Sequence, residues 1–283
     1  MVTAATGTPT AIVTGASAGI GRHTALGLAR AGLRVVMVGR SAVRLEAARR
    51  FVHDQVPAAE AETEIADFSA LDAVRDLAAR LLDRYPRIDV LVNNAALNSP
   101  RYAVSAEGYE LVLAVNHLAP FLLTNLLLDR MRSSAPARIV TVASQAHHGA
   151  RIEPATLAHP PNWTPLGAYR RSKLANILFT RALAKRLEPA TVTACCLHPG
   201  VIATSIGDRI GFPMSLAWRL AKPFLAGADK GARTPIFLAT VGDPMPFHGA
   251  YVIGESVVEP DAAARDDRLA EALWQESARL VGL

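Results

Sequence analysis

Thr10-Ala11-Ile12-Val13-Thr14-Gly15-Ala16-Ser17-Ala18-Gly19-Ile20-Gly21 is the stretch that decides how this chain folds. Its first five residues form a short apolar strand pattern, the glycines that follow have the spacing GxxxGxG, and a helical pattern continues through Leu26 and Leu28 to Ala31. Gly15, Gly19 and Gly21 permit a tight bend and a close backbone approach. A diphosphate can then lie against free N–H groups at the start of the next helix, with Ser17 and Ile20 in the same turn. Glycines also punctuate ordinary turns, so the weight of the motif rests on the strand before it and the helix after it.

Outward from that turn, strand and helix patterns alternate. Gly32 stops the first helix, residues 34–38 read as a second strand, a helix starts at Ser41, a weaker strand lies near residues 64–66, and a helix covers residues 69–84. The rhythm continues with a strand over 89–92, a long helix between 107 and 131, a strand over 138–143, a helix over about 166–187, and a strand over 191–197. Parallel strands need crossover connections that are usually helical, so the pattern predicts an α/β fold: a single doubly wound Rossmann-like domain with a parallel sheet flanked by helices. Val35-Val36-Met37-Val38 fits a strand buried on both faces. One domain over residues 1–283 suits a chain of 283 residues with 51% apolar side chains.

Two irregular stretches, 149–165 and 206–227, follow strands whose carboxyl ends should form the ligand crevice. A segment over about 203–228 is expected to be a substrate loop or lid. Its Phe212 to Leu225 portion, with Trp218, Arg219 and Lys222, also suits a membrane-surface contact, but a lid over an apolar substrate is the preferred reading.

Composition excludes several function classes. The formal charge of +5 is spread along helix faces at Arg44, Arg49, Arg50, Arg75, Arg80 and Arg84, which argues against nucleic-acid binding. Cys195 and Cys196 are adjacent in an apolar run and read as small buried core residues of a reducing compartment. His147, His148, His159 and His198 share no helical face with each other and have no cysteines or paired carboxylates nearby, so no metal is expected. No apolar stretch is expected to reach the roughly 18 residues that cross a bilayer, and Met1 to Thr10 lack the layout of a signal peptide. The expectation is a soluble, cytoplasmic protein without a transmembrane segment.

The end of the second strand discriminates between nicotinamide cofactors. A carboxylate there accepts hydrogen bonds from a free ribose hydroxyl, whereas an arginine pairs with a ribose phosphate. Here the strand ends Val38-Gly39-Arg40-Ser41, and Arg22 directly follows the glycine motif as a possible second cation. NADP(H) is therefore favoured over NAD(H).

Tyr169 and Lys173 stand four residues apart on a helical pattern, so both emerge on one face. A nearby ammonium stabilises a phenolate and lets a tyrosine, normally with a pKa near 10, exchange a proton with a substrate oxygen. Ser144 ends the strand upstream, Asn116 lies in the long helix, and Asn93-Asn94-Ala95 follows another strand. Together these motifs resemble the short-chain dehydrogenase/reductase family, in order and approximate spacing, over essentially the whole chain. Within it, Asn116-His117-Leu118, Ser144-Gln145-Ala146-His147-His148, Ser172-Lys173-Leu174-Ala175-Asn176 and Leu197-His198-Pro199-Gly200-Val201 look most like the retinol dehydrogenase-like subgroup. The membrane-anchoring leader common in animal retinol dehydrogenases is not expected here.

The resemblance implies that Tyr169 is the general acid/base, that Lys173 lowers its pKa and holds the nicotinamide ribose, that Ser144 orients the carbonyl oxygen, and that Asn116 keeps a water in the proton relay. The hydride belongs to the cofactor. It further implies Asp67 near the adenine, Asn93 and Ala95 along the adenosine side, and Pro199, Gly200 and Thr204 beside the nicotinamide. Departures are Ala96 for a glycine, Ala143 for a serine, and Ala119-Pro120 in the long helix, where Pro120 is expected to bend it. The leading expectation is an NADP(H)-dependent carbonyl reductase or alcohol dehydrogenase acting on a hydrophobic small molecule, as a homodimer or homotetramer by family habit. A non-catalytic NADP(H)-sensing or partner-binding protein on the same fold, and a nucleotide-sugar epimerase or dehydratase, are the alternatives.

Overall fold

The computed structural model describes residues 7–200 and 227–283. Eight strands form one sheet in the order β3-β2-β1-β4-β5-β6-β7-β8. They are β1 (Thr10–Thr14), β2 (Arg34–Gly39), β3 (Ala61–Ile65), β4 (Val90–Asn93), β5 (Ala137–Val142), β6 (Val192–His198), β7 (Tyr251–Ile253) and β8 (Ser256–Val257). The pairs from β3 across to β7 are parallel, and β8 returns antiparallel to β7. The strand order reverses direction between β1 and β4, the position where open α/β sheets bind ligands.

Alternate residues of the central strands supply two cores. Ile12, Val36 and Val38 join one apolar cluster, while Ala11, Val13, Val35 and Met37 join the other on the opposite face. Both faces are therefore covered, which is why these strands read as continuous apolar runs. The second face packs helices α1 (Gly19–Arg30) and α2 (Ala42–Gln55). The first packs α3 (Leu71–Arg84), the long α4 (Leu111–Ser133), α5 (Pro165–Ala184) and the last helix, Asp267–Val281.

Several expectations change. The third strand lies at Ala61–Ile65, earlier than residues 64–66 suggest. Its polar character comes from Glu62 and Glu64, which pair with Arg84 and Arg80 of α3 across the sheet edge. The long helix carries a π turn, Ala114–Leu118, directly ahead of Pro120. Proline brings no N–H to the carbonyl four residues back, that of Asn116, so the regular ladder is interrupted there.

The expectation that no stretch is long enough to cross a membrane is corrected for this same helix. Leu111–Ser133 is long and apolar enough, with a mean hydropathy of 1.8, but 83% of that window is buried inside the protein. A helix apolar on all sides fits the middle of a large core. The free thiols of Cys195 and Cys196 are buried, as expected, and burial pushes Cys195 up to about 12.

Candidate active site

Thr14 begins the site. Its hydroxyl donates to the Val92 carbonyl (3.2 Å) and accepts the backbone N–H groups of Asn94 and Ala95 (3.0 Å each), clamping the ends of β1 and β4 together. The chain then turns at Gly15 (φ +67°) and Gly19 (φ +56°) into α1. A side chain at Gly15 would meet Ala95 Cα at 2.8 Å, and one at Gly21 would meet the Gly15 carbonyl oxygen and Asn94 Nδ2 at 2.5 Å. The residue before α1, Ala18, is extended and makes no side-chain cap hydrogen bond, so the turn keeps backbone donors for an anion.

A cleft of about 430 Å³ opens over this turn. Gly15, Ser17, Gly19, Ile20 and Gly21 form its floor, Arg40, Asp67 and Phe68 lie at the ends of β2 and β3, and Asn94 to Asn98 follow β4. Ala95 and Asp67 are both among the residues that line the cleft. The exposed Asp67 carboxylate also caps its own loop, accepting the Ser69 N–H (3.0 Å) and hydroxyl (2.8 Å).

Two expected ligands point elsewhere. Asn93 is buried and donates from Nδ2 to Thr124 Oγ1 at 3.0 Å, which ties β4 to α4, and its neighbour Asn94 takes the place in the cleft. Arg22 lays its guanidinium 4.2 Å from the Phe51 ring centre and is not in the cleft lining. The second cation there is Arg44, from the first turn of α2. No local sequence signal marks it, because the Ser41 cap engages only the Arg44 backbone N–H and the side chain's aim depends on how α2 packs.

On the other side of the switch point, Ser144 ends the β5 segment in extended conformation, and its hydroxyl accepts the Ala146 N–H at 3.1 Å. Tyr169 and Lys173 project from α5, with Lys173 Nζ 5.6 Å from the Tyr169 ring centre. Lys173 is 2% exposed, and its ammonium donates to the Val142 carbonyl at 2.8 Å. Burial pulls Lys173 down to about 8 and pushes Tyr169 up to about 12, with the Ser144 hydrogen bond working the other way. The expected lowering of the phenol by the ammonium is not found here: burial raises Tyr169, and the group that opposes it is Ser144, not Lys173.

Asn116 sits in the π turn, 1% exposed. Its amide exchanges hydrogen bonds with the Leu97 backbone (2.8 and 2.9 Å) and donates to Ser172 Oγ at 3.0 Å. Ser172 in turn donates to the Tyr169 carbonyl at 2.8 Å, so the cleft loop, the π turn and the Tyr169 helix are joined. Pro199 and Gly200 (φ +92°) follow β6 and are not among the cleft residues. Thr204 and almost all of the 203–228 segment lie outside the described residues. Among the described residues, no group of three or more His, Cys, Asp or Glu is placed to hold a metal.

A glycine cradle at the switch point of a parallel sheet is the mark of the Rossmann-type dinucleotide-binding proteins. Within that class, the family model for short chain dehydrogenases matches residues 9–211. The chain belongs to this oxidoreductase family, in its retinol dehydrogenase-like group. It is 42% identical to dehydrogenase/reductase SDR family member 13 of Bos taurus, over 97% of this chain and 73% of that one. Retinol dehydrogenase 12 of Mus musculus is 37% identical over 96% of this chain and 86% of its own length. Among solved structures, an uncharacterized protein from Mycobacterium paratuberculosis superposes with a TM-score of 0.77 at 33% identity, covering 97% of this chain and 93% of the other.

Proposed function

We propose that the protein is an NADP(H)-dependent reductase that moves a hydride between nicotinamide and a hydrophobic ketone or aldehyde, with reduction as the cellular direction. The observation that carries this reading is the pair Arg40 and Arg44 on the cleft wall where β2 ends, with no carboxylate at that strand end. Two guanidiniums at that place suit a ribose phosphate, which an NAD-type site would exclude with an acidic side chain. The cradle leaves space for the rest of a dinucleotide, because a side chain at Gly19, on the cleft floor, would meet no protein atom. The similarity to retinol dehydrogenase 12 supports an apolar carbonyl or alcohol as substrate.

Gly15, Ser17, Gly19, Ile20 and Gly21 would hold the diphosphate and Arg40 with Arg44 the ribose phosphate, while Asp67 and Ala95 flank the adenosine part. When bound, the cofactor supplies or accepts the hydride. Tyr169 then gives its phenolic proton to the substrate oxygen as that oxygen gains charge. A phenol held near 12 by burial is protonated at neutral pH and ready for the reductive direction. The Ser144 hydroxyl, already accepting the Ala146 N–H, keeps its own proton for the same oxygen. The Lys173 ammonium, fixed on the Val142 carbonyl, places positive charge beside the phenol as it loses its proton. Asn116 holds the Leu97 backbone and Ser172 in register with that helix.

The test is consumption of NADPH and of NADH, followed at the nicotinamide absorbance, with all-trans-retinal, decanal and aromatic ketones. Preferential oxidation of NADPH with at least one apolar carbonyl is expected. Equal use of NADH, or NADPH binding with no consumption across the series, would refute the proposal.

A further inference from the structure

The 3₁₀ turn Gln145–His147 follows Ser144 immediately, and its last residue has no place in the mechanism above. His147 is nonetheless wholly buried, at 0% exposure. The backbone N–H of Asp261 reaches His147 Nε2 at 3.2 Å. A backbone amide can only donate, so Nε2 is the bare nitrogen and Nδ1 carries the proton. Nδ1–H donates to the Ser144 carbonyl oxygen at 2.7 Å, an oxygen that the His147 backbone N–H also approaches at 3.2 Å.

The opposite edge of the same peptide group is held as well. The Gln145 N–H donates to His198 Nδ1, at 3.4 Å, from the end of β6. Arg170, next to Tyr169, ties the turn to the tyrosine helix, its Nε donating to the Ala146 carbonyl at 3.2 Å and its Nη2 to the His148 carbonyl. Three elements thus hold one turn, and the side chain whose direction they set is that of Ser144.

The ring is built to stay neutral. Burial comes first in holding the His147 pKa below its ordinary value, and His148 and His198 stand close by. The Ser144 carbonyl and Asp261 oppose this without overturning it. Tyr251 meets the ring edge-on at 5.2 Å.

We propose that His147 is a positioning residue: its locked neutral tautomer fixes the Ser144 peptide and so aims the Ser144 hydroxyl at the substrate carbonyl. The inference rests on the role proposed above for Ser144. It is tested by steady-state kinetics with NADPH and whichever of all-trans-retinal and decanal the wild type reduces faster. The variants are His147→Leu, His147→Asn, His147→Gln, Ser144→Ala and the double variant Ser144→Ala/His147→Leu.

His147→Leu is expected to lower kcat about ten- to hundredfold, the cost of misplacing a reacting group by a fraction of an ångström or more, with KM for NADPH unchanged. His147→Asn puts an amide nitrogen where Nδ1 was and should recover most of kcat, whereas His147→Gln, polar only at the far end, should stay low. This pair decides the matter if the leucine variant does not fold. In the Ser144→Ala background His147→Leu should add nothing, because both changes remove one interaction. Wild-type kcat in His147→Leu, equal rates in the asparagine and glutamine variants, or losses that multiply in the double variant would overturn the inference while leaving the role of Ser144 intact. A Ser144→Ala enzyme as fast as wild type, or a wild type that reduces neither carbonyl, would instead strike the proposed function on which it depends.

Discussion

Single atoms decide what the glycine turn accepts. A methyl group at Gly21 would stand 2.5 Å from both the Gly15 carbonyl oxygen and Asn94 Nδ2. Gly21→Ala must therefore push backbone apart, and a loss of about 1–3 kcal/mol in urea unfolding is expected, together with weaker NADPH binding. Unchanged unfolding and binding would mean that the turn is looser than its geometry. At the outer wall Arg44→Ala should raise KM for NADPH about tenfold and leave that for NADH unchanged, the loss of one charge-assisted hydrogen bond. An equal effect on both nucleotides would remove Arg44 from the phosphate. Motif residues were legible in the sequence because GxxxGxG and YxxxK impose fixed spacings. The aims of Arg22 and Arg44 were not, because whether an arginine stacks on Phe51 or faces the cleft depends on how α1 and α2 pack.

Helix α4 shows what an element adds. Its π turn places Asn116 against the Leu97 backbone and Ser172, while His117 on the same turn is buried with Nε2 2.8 Å from Ser277 Oγ of the last helix. Burial pulls His117 down to about 4, and burial, then His147, pulls His198 down to about 4. A histidine whose folded pKa lies below its unfolded value of 6.5 contributes full stability above that value and loses it as pH falls toward 4. The urea midpoint should therefore be steady around pH 7, below the range in which Lys173 titrates, and fall steadily between pH 6.5 and 5, before most carboxylates titrate. His117→Leu should flatten part of that fall, and a midpoint independent of pH over this window would show that these rings do not stay neutral. The long helix was legible in the sequence, but its apolar length was not, since Leu111–Ser133 overturned the expectation of no stretch long enough to cross a membrane. Pro120 also signalled a disturbance, but its form as a π turn that aims Asn116 comes from the packing of α4 against the sheet and beside α5.

Across the whole molecule, β/α alternation predicted the parallel sheet as far as β6, since apolar strands and amphipathic helices keep distinct periods. The short strands Tyr251–Ile253 and Ser256–Val257 carry too few residues for a period and are strands only because the first pairs with β6 and the second folds back on the first. The reversal between β1 and β4 brings residues from distant parts of the chain together: the glycine turn and the ends of β2, β3 and β4 around one cleft, and the Ser144 turn against the Tyr169 helix. The claim that this assembly transfers hydride with Tyr169 as the proton donor is tested most directly by Tyr169→Phe. With NADPH and the best carbonyl substrate, kcat should fall at least about a hundredfold, the usual contribution of a positioned acid, while the Kd for NADPH stays at the wild-type value. A phenylalanine variant that turns over at the wild-type rate would contradict the account.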